Sequence, residues 1–150
     1  MSSDDYILNI EDDFDLDRIA ESGQCFRWTR MEEGEKPAYR IIRGGECLYI
    51  EKSGRNSYVL SCGEEEFHRI WEHYFDLEEN YRAIRERIDR EKDPFLWKAS
   101  RQEKGIRILR QDSWEMLITF IISQNRNIPA IRRSVELLAE KCGEIGRAHV

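Results

Sequence analysis

The feature that most constrains this chain is a change of hydrophobic period close to Gly63. Before it, short β-rich runs alternate with turn residues. Tyr6-Ile7-Leu8-Asn9-Ile10, Cys25-Phe26-Arg27-Trp28-Thr29, Tyr39-Arg40-Ile41-Ile42, Cys47-Leu48-Tyr49-Ile50 and Ser57-Tyr58-Val59-Leu60 are strand candidates. Gly44-Gly45 and Ser53-Gly54-Arg55-Asn56 read as turns between them, which predicts an antiparallel meander. Leu16 to Glu21 is a short helix candidate within this stretch. After Gly63 the period becomes helical. Phe67, Ile70, Trp71 and Tyr74 follow the i, i+3, i+4, i+7 rule. Tyr81, Ile84 and Ile88 repeat it in a segment starting near Leu77-Glu78. Asp93-Pro94 opens a third helix whose stripe is Phe95, Leu96 and Ala99, and Gly105 breaks it.

Residues 105–143 are of another kind. Asp112-Ser113-Trp114-Glu115 fits a capping box. Trp114, Leu117, Ile118 and Ile121 share one face of the helix that follows, and Met116, Phe120 and Ile122 cover much of the rest. A helix apolar nearly all round belongs inside a domain. It ends at Ser123-Gln124-Asn125-Arg126-Asn127, where Asn127 can cap the next helix, with Pro129 in its first turn. Ile128, Ile131, Val135 and Leu138 form that helix's stripe, and Gly143 suits its stop. Two apolar helices in about 40 residues cannot bury their own surface. The expected organisation is therefore a complete unit over 1–104 and the start of a helical unit over 105–143, with Trp114, Phe120 and Ile121 in an exposed apolar patch prone to association.

The formal charge of −6 suggests a chain that avoids nucleic acid. Its distribution says otherwise, because a field depends on where charges sit. Residues 1–100 carry 15 basic and 24 acidic side chains, whereas residues 101–150 carry 9 and 6. The basic part includes Arg107, Arg110, Arg126, Arg132 and Arg133. The cysteines Cys25, Cys47, Cys62 and Cys142 form no C-x-x-C pair and have no His at ligand spacing, so free thiols and no metal site are expected. No stretch approaches the ~20 apolar residues of a membrane span, and the start lacks a secretory h-region. A cytoplasmic protein without membrane association is expected.

Two segments carry chemistry. Ser22-Gly23-Gln24-Cys25-Phe26-Arg27-Trp28 is a turn leading into an aromatic strand. Ile122-Ser123-Gln124-Asn125-Arg126-Asn127-Ile128-Pro129 is an amide-rich loop between apolar helices. The second reads first as an Asn-capped helical hairpin; as the alternative, its amides and Arg can reach a base edge or a phosphate, since amides match nucleobase donor–acceptor pairs. Together they resemble the 8-oxoguanine DNA glycosylase family. The first segment is similar to that family's S-G-Q-x-F-R-W. Tyr74-Phe75-Asp76-Leu77 is similar to its Y-F-x-L. Gly105-Ile106-Arg107-Ile108-Leu109-Arg110-Gln111-Asp112 is similar to its G-[IV]-R-[IL]-L-[RK]-Q-[DE], and the Asn125 loop follows at the family distance.

The resemblance implies an α+β fold: a twisted antiparallel sheet with helices, of the TATA-binding-protein type, followed by the first helices of an all-α glycosylase domain. It implies excision of oxidised guanine from damaged double-stranded DNA, with lyase cleavage at the abasic site, by an intact monomer without metal or organic cofactor. Gly23 falls on the glycine whose carbonyl accepts a hydrogen bond from N7–H of the oxidised base. Asn125 falls on the asparagine that fills the space of the extruded base and contacts the orphaned cytosine, with Arg126 and Asn127 beside it. Ala130 stands where animal members place an Arg that grips that cytosine, which implies weaker opposite-base discrimination. The nucleophilic Lys and the supporting Asp belong to a later L-P-G-[VI]-G-x-K…D pattern that residues 1–150 do not contain, so no catalytic residue is expected in this chain. Lys141 lies outside that context and reads as a solvated residue near a helix end. The ending Glu144-Ile145-Gly146-Arg147-Ala148-His149-Val150 back-translates as GAG ATC GGA AGA GCA CAC GTC, a common sequencing-library adapter, and 144–150 is expected to be adapter-derived. Two other readings stand beside this one: a non-catalytic DNA-binding or interaction module, and a related glycosylase for alkylated bases.

Overall fold

The computed structural model describes residues 5–32 and 34–142. The predicted stop at Gly143 and the tail 144–150 lie outside the described residues. Five strands form one antiparallel sheet: β1 (Tyr6–Asn9), β2 (Trp28–Arg30), β3 (Ala38–Arg43), β4 (Glu46–Lys52) and β5 (Ser57–Leu60), in the order β1-β5-β4-β3-β2. Strands β2 to β5 are the predicted meander, and β1 closes the far edge beside β5 with Tyr6 opposite Leu60. The β3–β4 hairpin turns at Gly44, whose φ of +56° is the left-handed conformation that glycine tolerates.

Alternation sets the faces. Trp28, Tyr39, Ile41, Leu48, Ile50, Tyr58 and Leu60 are buried on the inner face, whereas Ile7 and Tyr49 are exposed on the other. Helix α1 (Leu16–Glu21) covers the inner face with Leu16, Ile19 and Ala20. A second helical run does the same: α2 (Glu64–Glu66), a wider π-type turn (Phe67–Trp71) and α3 (Glu72–Tyr74). The stripe Phe67, Ile70, Trp71 and Tyr74 is buried as its spacing requires, and Phe75 joins it. Edge-to-face aromatic contacts tie the layers together, Phe14–Tyr58 at 5.0 Å and Phe14–Phe75 at 5.5 Å. The indole of Trp28 donates to the Tyr74 hydroxyl at 2.9 Å, so both buried polar tips are satisfied.

Four helices follow the core: α4 (Tyr81–Glu86), α5 (Pro94–Gln102), α6 (Ser113–Ser123) and α7 (Ile128–Cys142). Two local expectations need correction. Helix α4 begins at Tyr81 rather than near Leu77, because the Asp12 carboxylate accepts from the Tyr81 and Arg82 backbone N–H groups and Asn80 caps Ala83. Ile88 lies beyond its end. The strand predicted from Cys25 begins only at Trp28, because the preceding residues are tied to other segments. The stripe of α5 is not buried: Phe95 is 83% exposed and Leu96 48%. Asp93 caps α5 as expected, accepting from Leu96 N–H at 2.8 Å.

Candidate nucleic-acid interface

The Gly23 loop is built by its neighbours. Helix α1 ends at Ser22, whose hydroxyl donates back to the Ile19 carbonyl at 2.7 Å. Gly23 then takes φ +80°, a conformation that L side chains rarely adopt. The Gln24 side chain lies along the segment 107–109 as a strand would. Its Nε2 donates to the Arg107 carbonyl at 2.7 Å and its Oε1 accepts from Leu109 N–H at 2.9 Å. Nε2 also donates to the Ser22 hydroxyl at 2.9 Å, and Gln111 donates to the Gln24 carbonyl. Cys25 and Phe26 leave this turn as a loop, and the chain reaches the sheet at Arg27, whose carbonyl accepts from Ile42 N–H of β3 at 3.1 Å. The Cys25 thiol is buried, and burial pushes it up to about 12, so it stays protonated.

The segment 105–111 is fixed to the sheet unit. Gly105 has φ +102°, and a Cβ there would lie 2.7 Å from the Asp15 Cβ. Its carbonyl accepts from Asp15 N–H at 2.9 Å. Leu109 joins the main hydrophobic core. Arg107 is 1% exposed, with all five N–H donors occupied. Nε donates to the Phe75 carbonyl at 3.0 Å. The two terminal nitrogens serve Asp12 Oδ2 and the carbonyls of Asp13, Asp76 and Glu79 at 2.7–3.0 Å. The guanidinium also sits 4.3 Å from the Tyr81 ring centroid.

Arg107 and Arg110 therefore contribute less to an outward basic field than the sequence count suggests. Arg110 donates to Asp76 Oδ1 at 2.9 Å, and Tyr81 donates to Asp76 Oδ2 at 2.7 Å. Burial alone would raise the Asp76 carboxyl, but these bonds and the two guanidinium groups outweigh it and hold the group below its usual value. The acidic amino-terminal stretch is likewise partly absorbed inside. Asp13 is buried and pairs with Arg85 at 2.8 Å, while Asp12 caps α4 and meets Arg107.

Helix α7 brings the second segment to the first. Ile128 Cδ1 lies 4.0 Å from the point where a Cβ on Gly23 would stand. Arg132 points its guanidinium at the Ala20 carbonyl, 3.5 Å away, and Ile131 and Val135 are buried. The Gly23 turn and the start of α7 are thus neighbours, although about 100 residues separate them in sequence. Asn125 sits on the loop leading into α7, exposed, with φ +59°, a left-handed conformation in which asparagine is enriched. Asn127 Oδ1 accepts from Ala130 N–H at 3.0 Å, so its side chain caps α7 as the sequence indicates. Arg126 is exposed but folds along α7, donating to Ser134 Oγ at 2.7 Å. Of the four predicted site residues, Gly23 and Asn125 lack side-chain work within the fold, while Arg126 and Asn127 already hold partners.

Two residues outside the predicted set matter for this geometry. Gln24 was legible only as a member of a motif, and nothing in its spacing marks a pairing with residues 85 positions away. Arg107 carried a usable signal, since a basic residue between Ile106 and Ile108 in an apolar run is a candidate for burial.

Comparison with known proteins agrees with this arrangement. The family model for the 8-oxoguanine DNA glycosylase N-terminal domain matches residues 7–117. The N-glycosylase/DNA lyase of Saccharomyces cerevisiae is 28% identical over 149 residues, covering 87% of this chain and 37% of the yeast protein. The Clostridium acetobutylicum 8-oxoguanine glycosylase/lyase, in complex with double-stranded DNA containing cytosine opposite 8-oxoG, superposes with TM-score 0.85 at 38% identity. That alignment covers 95% of this chain and 48% of the clostridial one. MBOgg1 in complex with a low-affinity DNA ligand gives TM-score 0.83 at 37% identity, covering 94% and 47%. The chain thus spans about half the length of these solved relatives, or less than half. With a match over residues 7–117 and the motif segments Ser22–Trp28, Tyr74–Leu77 and Gly105–Asp112 packed around one loop, the chain belongs to the 8-oxoguanine DNA glycosylase family, whose N-terminal domain it carries.

Proposed function

We propose that this chain is the lesion-reading part of a DNA glycosylase/lyase that removes 8-oxoguanine from double-stranded DNA. The observation that carries the reading is the approach of the Gly23 turn to the start of α7, 4.0 Å from Ile128 to a Cβ position at Gly23. It supports a pocket wall with backbone on one side and the Asn125 loop next to it. Guanine presents an unprotonated N7, whose lone pair repels a carbonyl oxygen. Oxidised guanine presents N7–H, which the Gly23 carbonyl accepts. Glycine admits the closest approach of backbone to base. To be read this way the base must leave the stack, at a cost of roughly a few kcal/mol. Asn125 would fill the vacated space and face the orphaned cytosine. Arg126, released from Ser134, and the amide of Asn127 would meet the phosphate backbone beside it.

The base-removing step needs an amine nucleophile, and the family Lys and Asp fall beyond the matched motifs of this chain. Borohydride trapping on a duplex containing 8-oxoguanine tests the division of labour. The 150-residue chain alone is expected to give no covalent adduct, and a gene product extending through the L-P-G-[VI]-G-x-K pattern is expected to give one. A Lys-dependent adduct formed by the 150-residue chain would overturn the reading.

A further inference from the structure

We infer that Gln24 is a positioning residue for base discrimination: its side-chain amide, paired with the main chain of residues 107–109, holds the Gly23 carbonyl at the height where N7–H is read. The inference rests on the reading of Gly23 given above. Its own evidence is the bonding around the loop. Both neighbours of Gly23 are anchored and Gly23 itself is not. The Ser22 hydroxyl accepts from Gln24 Nε2 and donates to Ile19, which fixes the entry to the turn. The Gln24 carbonyl accepts from Gln111, which fixes the exit. The Gln24 amide fills the place of a missing strand residue, with one donor and one acceptor serving Arg107 O and Leu109 N–H. The segment it grips is itself immobilised by the fully bonded Arg107 guanidinium and by Leu109 in the core. The turn is therefore held by three side chains, and the Gln24 amide makes three of the bonds: to Ser22 Oγ, to the Arg107 carbonyl and from Leu109 N–H.

A carbonyl discriminates N7–H from a lone pair only if its oxygen stays put, because the two bases differ by one proton. A displacement near 1 Å costs up to about a hundredfold in rate for a positioned reactant. The loop backbone remains covalently intact without the Gln24 amide, so its loss should blur reading rather than unfold the chain. Gln24→Met keeps the length and roughly the volume and removes all three amide bonds, to Ser22, Arg107 and Leu109. Gln24→Glu keeps the acceptor for Leu109 N–H and loses the donors to the Arg107 carbonyl and the Ser22 hydroxyl.

The experiment compares three substrates in the gene product that extends through the Lys-bearing region: 8-oxoguanine, its analogue with carbon in place of N7–H, and a preformed abasic site. Wild-type protein is expected to prefer 8-oxoguanine over the analogue. Gln24→Met is expected to shrink that preference about tenfold or more, with Gln24→Glu between, while cleavage of the abasic site stays at the wild-type rate. An unchanged preference in both variants overturns the positioning role. An equal fall on the abasic site overturns it too, since that marks a purely structural residue. Absence of any preference in the wild-type protein instead overturns the reading of Gly23 on which the inference rests.

Discussion

Arg107 and Asp76 decide how three distant segments meet. A guanidinium with five donors in a fixed plane can join the Asp12–Asp13 turn, the Phe75–Glu79 turn and its own segment 105–111 at once, which an ammonium on a flexible stem cannot. Replacing it leaves several buried carbonyls without donors. Arg107→Lys and Arg107→Met are both expected to lower unfolding stability by about 3–5 kcal/mol, read by urea titration of the tryptophan signal. An Arg107→Lys variant as stable as wild type would refute the hub role. Asp76 gives the acid side of the same junction. Its folded value lies below its unfolded one, so its contribution is complete above the ordinary carboxylate range of about 4 and is lost as pH falls through the folded value. Asp76→Asn is therefore expected to be less stable than wild type at neutral pH and to converge with it in acid. A constant gap at all pH values would count against the ionic origin.

The caps set where helices start in this chain, and one of them crosses between elements. Helix α4 takes its start from Asp12, which belongs to the loop before α1. Helix α6 is capped by Asp112, which accepts from Glu115 N–H at 2.9 Å. The reciprocal half of the predicted capping box is not made. Burial raises the Glu115 carboxyl, against the opposing pull of Arg27, and it takes a hydrogen bond from the Gly44 backbone of the β3–β4 hairpin. Helix α7 depends on Asn127, and its entry angle carries Ile128 to the Gly23 turn. Asn127→Ala is expected to cost about 1 kcal/mol and to increase amide exchange in the first turn of α7 more than in the sheet. Equal exchange in both regions would show that the cap is not the local determinant.

At the scale of the whole molecule the two parts differ in how well they are closed. The sheet unit buries its aromatic inner face completely, with Trp71 and Phe75 at 0% exposure. The helical pair does not. Trp114 is 69% exposed, Phe120 63% and Ile121 59%, on the helix whose sequence is apolar nearly all round. Among the described residues no helix is long and apolar enough to cross a membrane, so this face is not explained by a bilayer span. The 150-residue chain is expected to associate as its concentration rises, and Trp114→Glu with Phe120→Glu is expected to reduce that association without loss of thermal stability. Sedimentation velocity of both proteins checks it. A wild-type chain that stays monomeric at high concentration would contradict the expectation.

The sequence by itself determined the elements and the family. Period two before Gly63 and period 3.6 after it reflect local backbone geometry and mark the strands and the later helices, while the Asp93 and Asn127 caps mark where α5 and α7 begin. The motif segments identified a lineage because they are contiguous in the chain. What sequence left open is what those residues do for one another. The start of α4 is set by two caps: Asn80, which stands next to it in sequence, and the Asp12 carboxylate, which comes from 69 residues away, a distance that no local pattern encodes. The stripe of α5 is present but exposed, because amphipathic spacing defines a face and not what meets it. Arg107 and Arg110 looked like part of a basic surface because charge is counted along the chain, whereas a field is set by which charges are already paired. Only the tertiary structure brought Gly23 beside Ile128 and laid the Gln24 amide along residues 107–109, because such contacts arise when separately folded elements close on a shared core.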